Sequence, residues 1–360
     1  MPGSGEARFD PPEADGRPAV VAVAVPPGLR AEFFGEPAGA GADGPDVGAL
    51  SERLRGVGRI VVVDDPRDLP ALRAAFARAD VVVSSWGMPR LTGELLAAAP
   101  RVGLLAHTGA AIAPYVGADA FARGVRVTQA GQGMARSVAE VALAFTLALL
   151  HRTHRYDHAL RGGHEWAAAS VAPPRHEVFG ARIGVVGASR TGRAYIEVVR
   201  ALGARVQVAD PTLSAPEAAR MGVELVSLDQ LLATSRIVAL HAPSLPETRR
   251  LIGARELALM ADGAGLVNTA RSWLVDEDAL LAALRTGRID AALDVYDAEP
   301  LPVGHGFRAL PNVLLTPHQA AGTVECRRRQ GDIVVDEVER YLTGRSLNHE
   351  VGPEALIRVG

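Results

Sequence analysis

The chain has 360 residues, 48% of them hydrophobic, enough for two domains and a sizeable core. Its net charge of −3 supplies no strongly basic face, so neither nucleic acid nor an anionic membrane is an expected partner. Every one of the 38 Lys+Arg residues is arginine. That excludes P-loop nucleotide hydrolysis, pyridoxal chemistry and reductases built on a Tyr-x-x-x-Lys pair, each of which needs a lysine. The one cysteine, Cys326, cannot form an internal disulfide and fits a reducing cytoplasm. We read no apolar span of about 18 residues, no leader pattern and no metal-ligand cluster, and so expect a soluble, unexported protein.

Residues 1–17 are rich in Gly, Pro, Glu and Asp with little to bury, and read as a disordered tail. From Ala19 a pattern of short β-branched runs, turns and helical stretches begins. The predicted strands are Val20–Val25, Ile60–Val63, Val81–Val83, Val102–Ala106 and Val125–Val127. Gly35–Gly48 reads as an insert or loop. Ser137-Val-Ala-Glu140 has capping-box spacing and should open a long apolar helix reaching about His151. A second series follows, with strands Ile183–Val186, Val206–Ala209, Ile237–Leu240, Leu266–Asn268, Ala291–Asp294 and Val313–Leu315. Near-continuous apolar strands alternating with helices imply parallel sheets covered on both faces. A last amphipathic helix, around Thr323–Thr343, should cross back to the first domain. The α/β expectation is therefore two doubly wound domains: 18–137 with 322–360, and 138–321.

Strand Ile183–Val186 runs into Gly187-Ala-Ser-Arg-Thr-Gly192, with a helix following from Arg193. That is the context of a pyrophosphate held on a helix N-terminus. Asp210 ends the next strand about 20 residues on, where a carboxylate accepts both ribose hydroxyls and repels a 2′-phosphate, so NAD is expected. Ser189 stands where the pattern places its middle glycine.

Three later segments each follow a short apolar run: Leu266-Val-Asn-Thr-Ala-Arg271, Leu293-Asp-Val-Tyr-Asp-Ala-Glu299-Pro, and Thr316-Pro-His318. An arginine clamps a carboxylate through two parallel hydrogen bonds. A histidine passes a proton near neutral pH, and a glutamate orients it and raises its proton affinity. This is the equipment for interconverting a 2-oxo acid and a 2-hydroxy acid. Each residue alone reads better as a surface arginine, a loop carboxylate or a capping histidine; the ordered set carries the chemistry.

With these motifs in order, the chain resembles the D-2-hydroxyacid dehydrogenases, over roughly residues 60–350. The resemblance implies a discontinuous flavodoxin-like substrate domain and a Rossmann NAD-binding domain. It implies that Gly187, Ser189, Arg190, Thr191, Gly192 and Asp210 bind the cofactor, with His241, Pro243 and Thr248 bordering its adenine side and Thr269 and Ala270 beside it. Arg271 would bind the substrate carboxylate, His318 would be the acid/base, Glu299 its partner, and Asp294 would hold the nicotinamide carboxamide. Backbone amides of Gly109-Ala110-Ala111 would complete the carboxylate contacts, and Trp86-Gly87 would form a pocket wall. The chain departs from relatives at Ser189, Met134, Ser272 and Trp273. Arg136 is a candidate for a second anionic group on the substrate, against the plainer reading of a solvated helix-start arginine. The expected partner is a small anionic 2-oxo or 2-hydroxy acid, acted on by a cytoplasmic homodimer. An NAD(H)-sensing interaction protein is the alternative, disfavoured by the complete Arg–Glu–His set.

Overall fold

The computed structural model describes residues 17–35 and 52–357. The predicted tail, except Arg17, and the Gly35–Gly48 insert, except Gly35, lie outside the described residues. The chain divides into two compact units, Met1–Met134 with Val324–Gly360, and Ala135–Thr323.

In the first unit, β1 (Val20–Ala24), β2 (Arg59–Val62), β3 (Val81–Ser84), β4 (Leu104–His107) and β5 (Arg126–Gln129) form a parallel sheet in the order β2-β1-β3-β4-β5. That is the flavodoxin-like doubly wound order. Valines and alanines fill β1 because both of its faces are covered, leaving no solvent side to favour alternation. The helix Val324–Leu342 returns to this unit and packs Val334, Val335, Val338 and Tyr341 against Val21, Val23, Phe33 and Leu104. Gly331 permits the approach, since a Cβ there would lie 2.0 Å from the Phe33 carbonyl oxygen.

The second unit holds β6 (Arg182–Val186), β7 (Arg205–Ala209), β8 (Glu224–Leu225), β9 (Ile237–Leu240), β10 (Gly265–Asn268), β11 (Asp290–Leu293) and β12 (Val313–Leu315). Their order, β8-β7-β6-β9-β10-β11-β12, is that of a dinucleotide-binding sheet extended by one strand. Two strands are absent from the sequence reading: β8, and β13 (Glu350–Val351), which pairs antiparallel with β5. Each has two residues, too few to show a period.

Two expectations are corrected. The long helix spans Ala135–His151, entered from a 3₁₀ turn at Gly131–Met134, so Ser137 lies inside it and caps nothing. Its hydroxyl, buried, donates instead to the Ala320 carbonyl at 2.7 Å. The helical stretch Gly131–His151 is also long and apolar enough to cross a membrane by length and composition, at a mean hydropathy of 1.5. Just over half of its apolar 18-residue window, 56%, is buried in the protein. Ala139, Ala142, Phe145 and Leu149 join Ile183, Val185, Val208 and Ile237 in one core, which accounts for its apolar character.

Candidate active site

Strand order reverses between β6 and β9, and the loops after their carboxyl ends form the crevice where α/β sheets hold ligands. Gly187 turns the chain out of β6 with φ +95°, and a Cβ on it would lie 2.5 Å from Ala242. A Cβ on Gly192 would lie 2.2 Å from the Gly187 carbonyl oxygen, so the first helical turn can seat itself against the loop only as glycine. Ser189 is the N-cap of helix Arg190–Ala201, with an ordinary φ of −65° that needs no glycine. Its hydroxyl accepts from the Gly192 amide at 3.3 Å and lies 3.0 Å from the Thr191 hydroxyl. Asp210, just past β7, accepts from the Thr212 amide and hydroxyl through Oδ1 and from the Ala188 amide through Oδ2, at 2.7–2.8 Å. Burial raises this carboxyl, but the Thr212 hydroxyl and the amides of Ala188, Thr212 and Leu213 outweigh it and hold the group below its ordinary value.

The next three strands deliver the charged residues. After β10, Asn268 braces the turn: its Nδ2 donates to the Arg271 carbonyl at 3.0 Å and its Oδ1 accepts from the Ala270 amide at 3.1 Å. Arg271 donates from Nη1 to the Ala270 carbonyl at 2.7 Å. Burial lowers its guanidinium below the usual value, and the charge of Glu299 opposes that shift. After β11, Glu299 accepts from the Tyr296 amide through Oε1 at 3.0 Å. Its Oε2 lies 2.7 Å from Nδ1 of His318, which follows β12. With Nδ1 committed to the carboxylate, Nε2 is the ring nitrogen that Glu299 does not engage. Asp294 is 1% exposed and accepts from the Thr316 hydroxyl, the Gln319 amide and the Ala320 amide.

In the first unit, Gly87 has φ +90° and Trp86 is half-buried. The Trp86 ring stacks on Phe33, with centroids 5.9 Å apart, and the Arg327 guanidinium lies 4.7 Å from the Trp86 ring centroid. A Cβ on Gly109 would lie 2.7 Å from His107 Nε2 and 3.3 Å from Trp86, so the loop continuing to Ala110 and Ala111 comes this close as glycine only. His107 is fully buried, hydrogen-bonded through Nδ1 to the Ser84 hydroxyl at 3.0 Å, and burial pushes it down to about 3. Neither His107 nor Arg327 stood out in the sequence, where one ends an apolar run and the other sits in an arginine triplet. Arg136 is exposed and pairs with Glu140 at 2.7 Å, one helical turn on. Trp273 donates from Nε1 to the Leu245 carbonyl at 2.8 Å, and Arg249 lies over its ring at 5.2 Å. It thereby ties the Arg271 segment to the loop carrying Pro243 and Thr248.

Residues 143–320 match the family described as D-isomer specific 2-hydroxyacid dehydrogenase, NAD binding domain. The chain is 34% identical to a glyoxylate reductase of Aeropyrum pernix over 71% of its own length and 78% of that protein's. The chain belongs to the D-isomer specific 2-hydroxyacid dehydrogenase family. It is 38% identical to D-3-phosphoglycerate dehydrogenase of Mycobacterium tuberculosis over 78% of its length, spanning about half (52%) of that relative. Among solved structures, a glyoxylate reductase from Paecilomyes thermophila superposes with a TM-score of 0.74 at 26% identity, covering 94% of this chain and 99% of the other.

The residues of this family member fit the dinucleotide that its NAD-binding domain implies. Beside the Gly187–Gly192 cradle, both ring nitrogens of His241, the Ser244 hydroxyl and the Thr269 hydroxyl are buried without a partner among the described residues. All three follow the carboxyl ends of β9 and β10. Buried polar atoms are seldom left unsatisfied, and these lie where a dinucleotide's own polar groups would run. Burial pushes the His241 imidazole down to about 3, so it is neutral there. The Asp210 carboxylate, just past β7, stands where the doubly wound pattern puts the carboxylate that would meet the ribose of NAD.

Proposed function

We propose that the protein is an NAD-dependent dehydrogenase or reductase interconverting a small 2-oxo acid and the corresponding D-2-hydroxy acid. The observation that carries the reading is the 2.7 Å His318–Glu299 pair, with Glu299 one strand and His318 two strands over from Arg271, at the carboxyl edge of a dinucleotide sheet. Relatives named D-3-phosphoglycerate dehydrogenase and glyoxylate reductase support the substrate class.

Arg271 receives the substrate carboxylate through its guanidinium fork and draws charge from the adjacent carbonyl. NAD, when bound, supplies or takes up the hydride at C2. In reduction, His318 Nε2 gives its proton to the C2 oxygen as the carbon is reduced; in oxidation the neutral ring takes that proton back. Glu299 stabilises the imidazolium and fixes the ring's orientation. Reduction therefore needs His318 protonated, and oxidation needs it neutral.

A homodimer in the cytoplasm is part of the proposal. The exposed apolar side chains Trp166, Val171 and Phe179 are available for self-association, and the single, buried Cys326 suits a reducing compartment. The test is a panel of 2-oxo acids, including glyoxylate, phosphorylated and dicarboxylate members, assayed with NADH and with NADPH. Turnover with NADH and saturation by one member is expected. Tight NADH binding with no turnover on any member would favour an NAD(H)-sensing protein instead.

A further inference from the structure

His318 has φ +54°, a left-handed backbone that few non-glycine residues adopt. Something must hold it there, and the candidates are few because residues 316–320 form neither helix nor strand. A turn of this kind directs successive N–H groups into one concavity, a ready anion site that leaves its donors unsatisfied unless filled. The group filling it is the Asp294 carboxylate. Oδ1 accepts from the Gln319 amide at 2.9 Å and from the Thr316 hydroxyl, and Oδ2 accepts from the Ala320 amide at 2.9 Å. One side chain thus grips the chain on both sides of His318.

The base of the clamp is rigid. Asp294 donates its own amide to the Asn268 carbonyl at 3.0 Å, extending the β10–β11 ladder, and Thr316 donates its amide to the Leu293 carbonyl at 3.0 Å. The Tyr296 hydroxyl lies 2.9 Å from the Leu293 carbonyl and 2.8 Å from that of Thr316, bridging the ends of β11 and β12. The same short segment presents Glu299, so both members of the acid–base pair hang from one braced corner.

We propose that Asp294 is a positioning residue: its carboxylate holds the His318 turn and thereby keeps the imidazole on Glu299. A carboxylate offers about four lone-pair sites, and the protein's own donors occupy three of them, so a ligand contact is a minor use of this side chain. The catalytic consequence rests on the proposed acid–base role of His318; the structural consequence does not.

Two variants test it. Asp294→Asn keeps the shape but turns an NH₂ toward a donor, breaking at least one of the three bonds. Thr316→Val removes one bond and leaves both amides in place. In ¹⁵N-histidine-labelled protein without cofactor, the hydrogen-bonded Nδ1 proton of His318 is assigned by its loss in Glu299→Ala. The proposal expects that signal to vanish or broaden in Asp294→Asn and to shift in Thr316→Val. It expects kcat to fall about 10- to 100-fold in Asp294→Asn, the scale of an ångström-level misplacement. The Kd for NADH, read by fluorescence, should stay within about twofold. An intact His318 signal with a Kd for NADH weakened about tenfold would overturn the proposal and make Asp294 a cofactor contact. Should Asp294→Asn not fold, an unchanged signal in Thr316→Val overturns it. Because the spectrum needs no substrate, absence of turnover would count against the proposed reaction and leave the clamp standing.

Discussion

Strand β11 carries an aspartate at each end, Asp290 as its first residue and Asp294 just past its last, and both are 1% exposed. At the amino end, Asp290 accepts from Arg152 Nη1 at 2.8 Å and Arg155 Nη2 at 2.5 Å, and lies 3.0 Å from His154 Nε2. Burial raises its carboxyl, but the His154 and Arg155 hydrogen bonds and the Arg155 and Arg152 charges overcome that and bring it to about 2. At the carboxyl end, Asp294 takes only a hydroxyl and two peptide N–H groups. The first cluster uses cations to neutralise a buried charge, and Arg152 and Arg155 are thereby committed to Asp290. The second uses a hydroxyl and backbone N–H groups for the same task, so Arg271 and His318 are not drawn onto Asp294 and suit the substrate roles proposed for them. One residue type, equally buried four positions apart, thus gathers cations at one end of a strand and holds a turn at the other, the turn that carries the proposed acid–base residue.

This division breaks down if variants at the two ends change the same quantity. The largest separation is expected from His318→Ala: kcat should fall by about 10²–10⁴-fold, the usual worth of a general acid–base group, with the melting temperature unchanged. Asp290→Asn should do the converse. Leaving Arg152 and its neighbours buried without their anion should cost about 3–5 kcal/mol in denaturant unfolding, with kcat close to the parent's. A loss of kcat matching the loss of stability would show that the two ends are not separate.

Acid titration sharpens the same point. The folded carboxyl of Asp290, at about 2, lies below its unfolded value. Its stabilisation is therefore fully present above the ordinary carboxylate range and is lost as pH falls through that range toward about 2. Unfolding free energy measured from pH 5 downward should drop more steeply in the parent than in Asp290→Asn, and parallel curves would count against the cluster. The smallest effect is expected from Arg136→Ala. Arg136 is exposed and already paired with Glu140, so kcat/KM on the best anionic substrate should change by less than about threefold. A larger loss would place a second anionic group beside Arg136.

The alternation of apolar runs and helical stretches was enough to read both sheets, because a strand buried on both faces must be apolar almost throughout. Its limits show at β8 and β13, which are too short for a period, and at Ser137, whose hydroxyl found a carbonyl on a distant segment rather than a cap. Of the site, Arg271, Glu299 and His318 were legible because each follows a strand closely and the three come in a fixed order. In the first unit, the His107–Ser84 bond and the Phe33–Trp86–Arg327 stack were not legible, since each joins residues from separate elements with no mutual spacing.

By itself the sequence determined the family and the doubly wound architecture, and it singled out Arg271, Glu299 and His318 as candidates, because periodicity and motif order are local properties of a chain. Only the tertiary structure decided what Asp294 and Asp290 do. Their roles depend on which donors converge on a buried carboxylate, and those donors come from residues 316–320 in one case and 152–155 in the other. A buried charge must be answered by whatever the fold brings within about 3 Å, and that is a property of the packed chain.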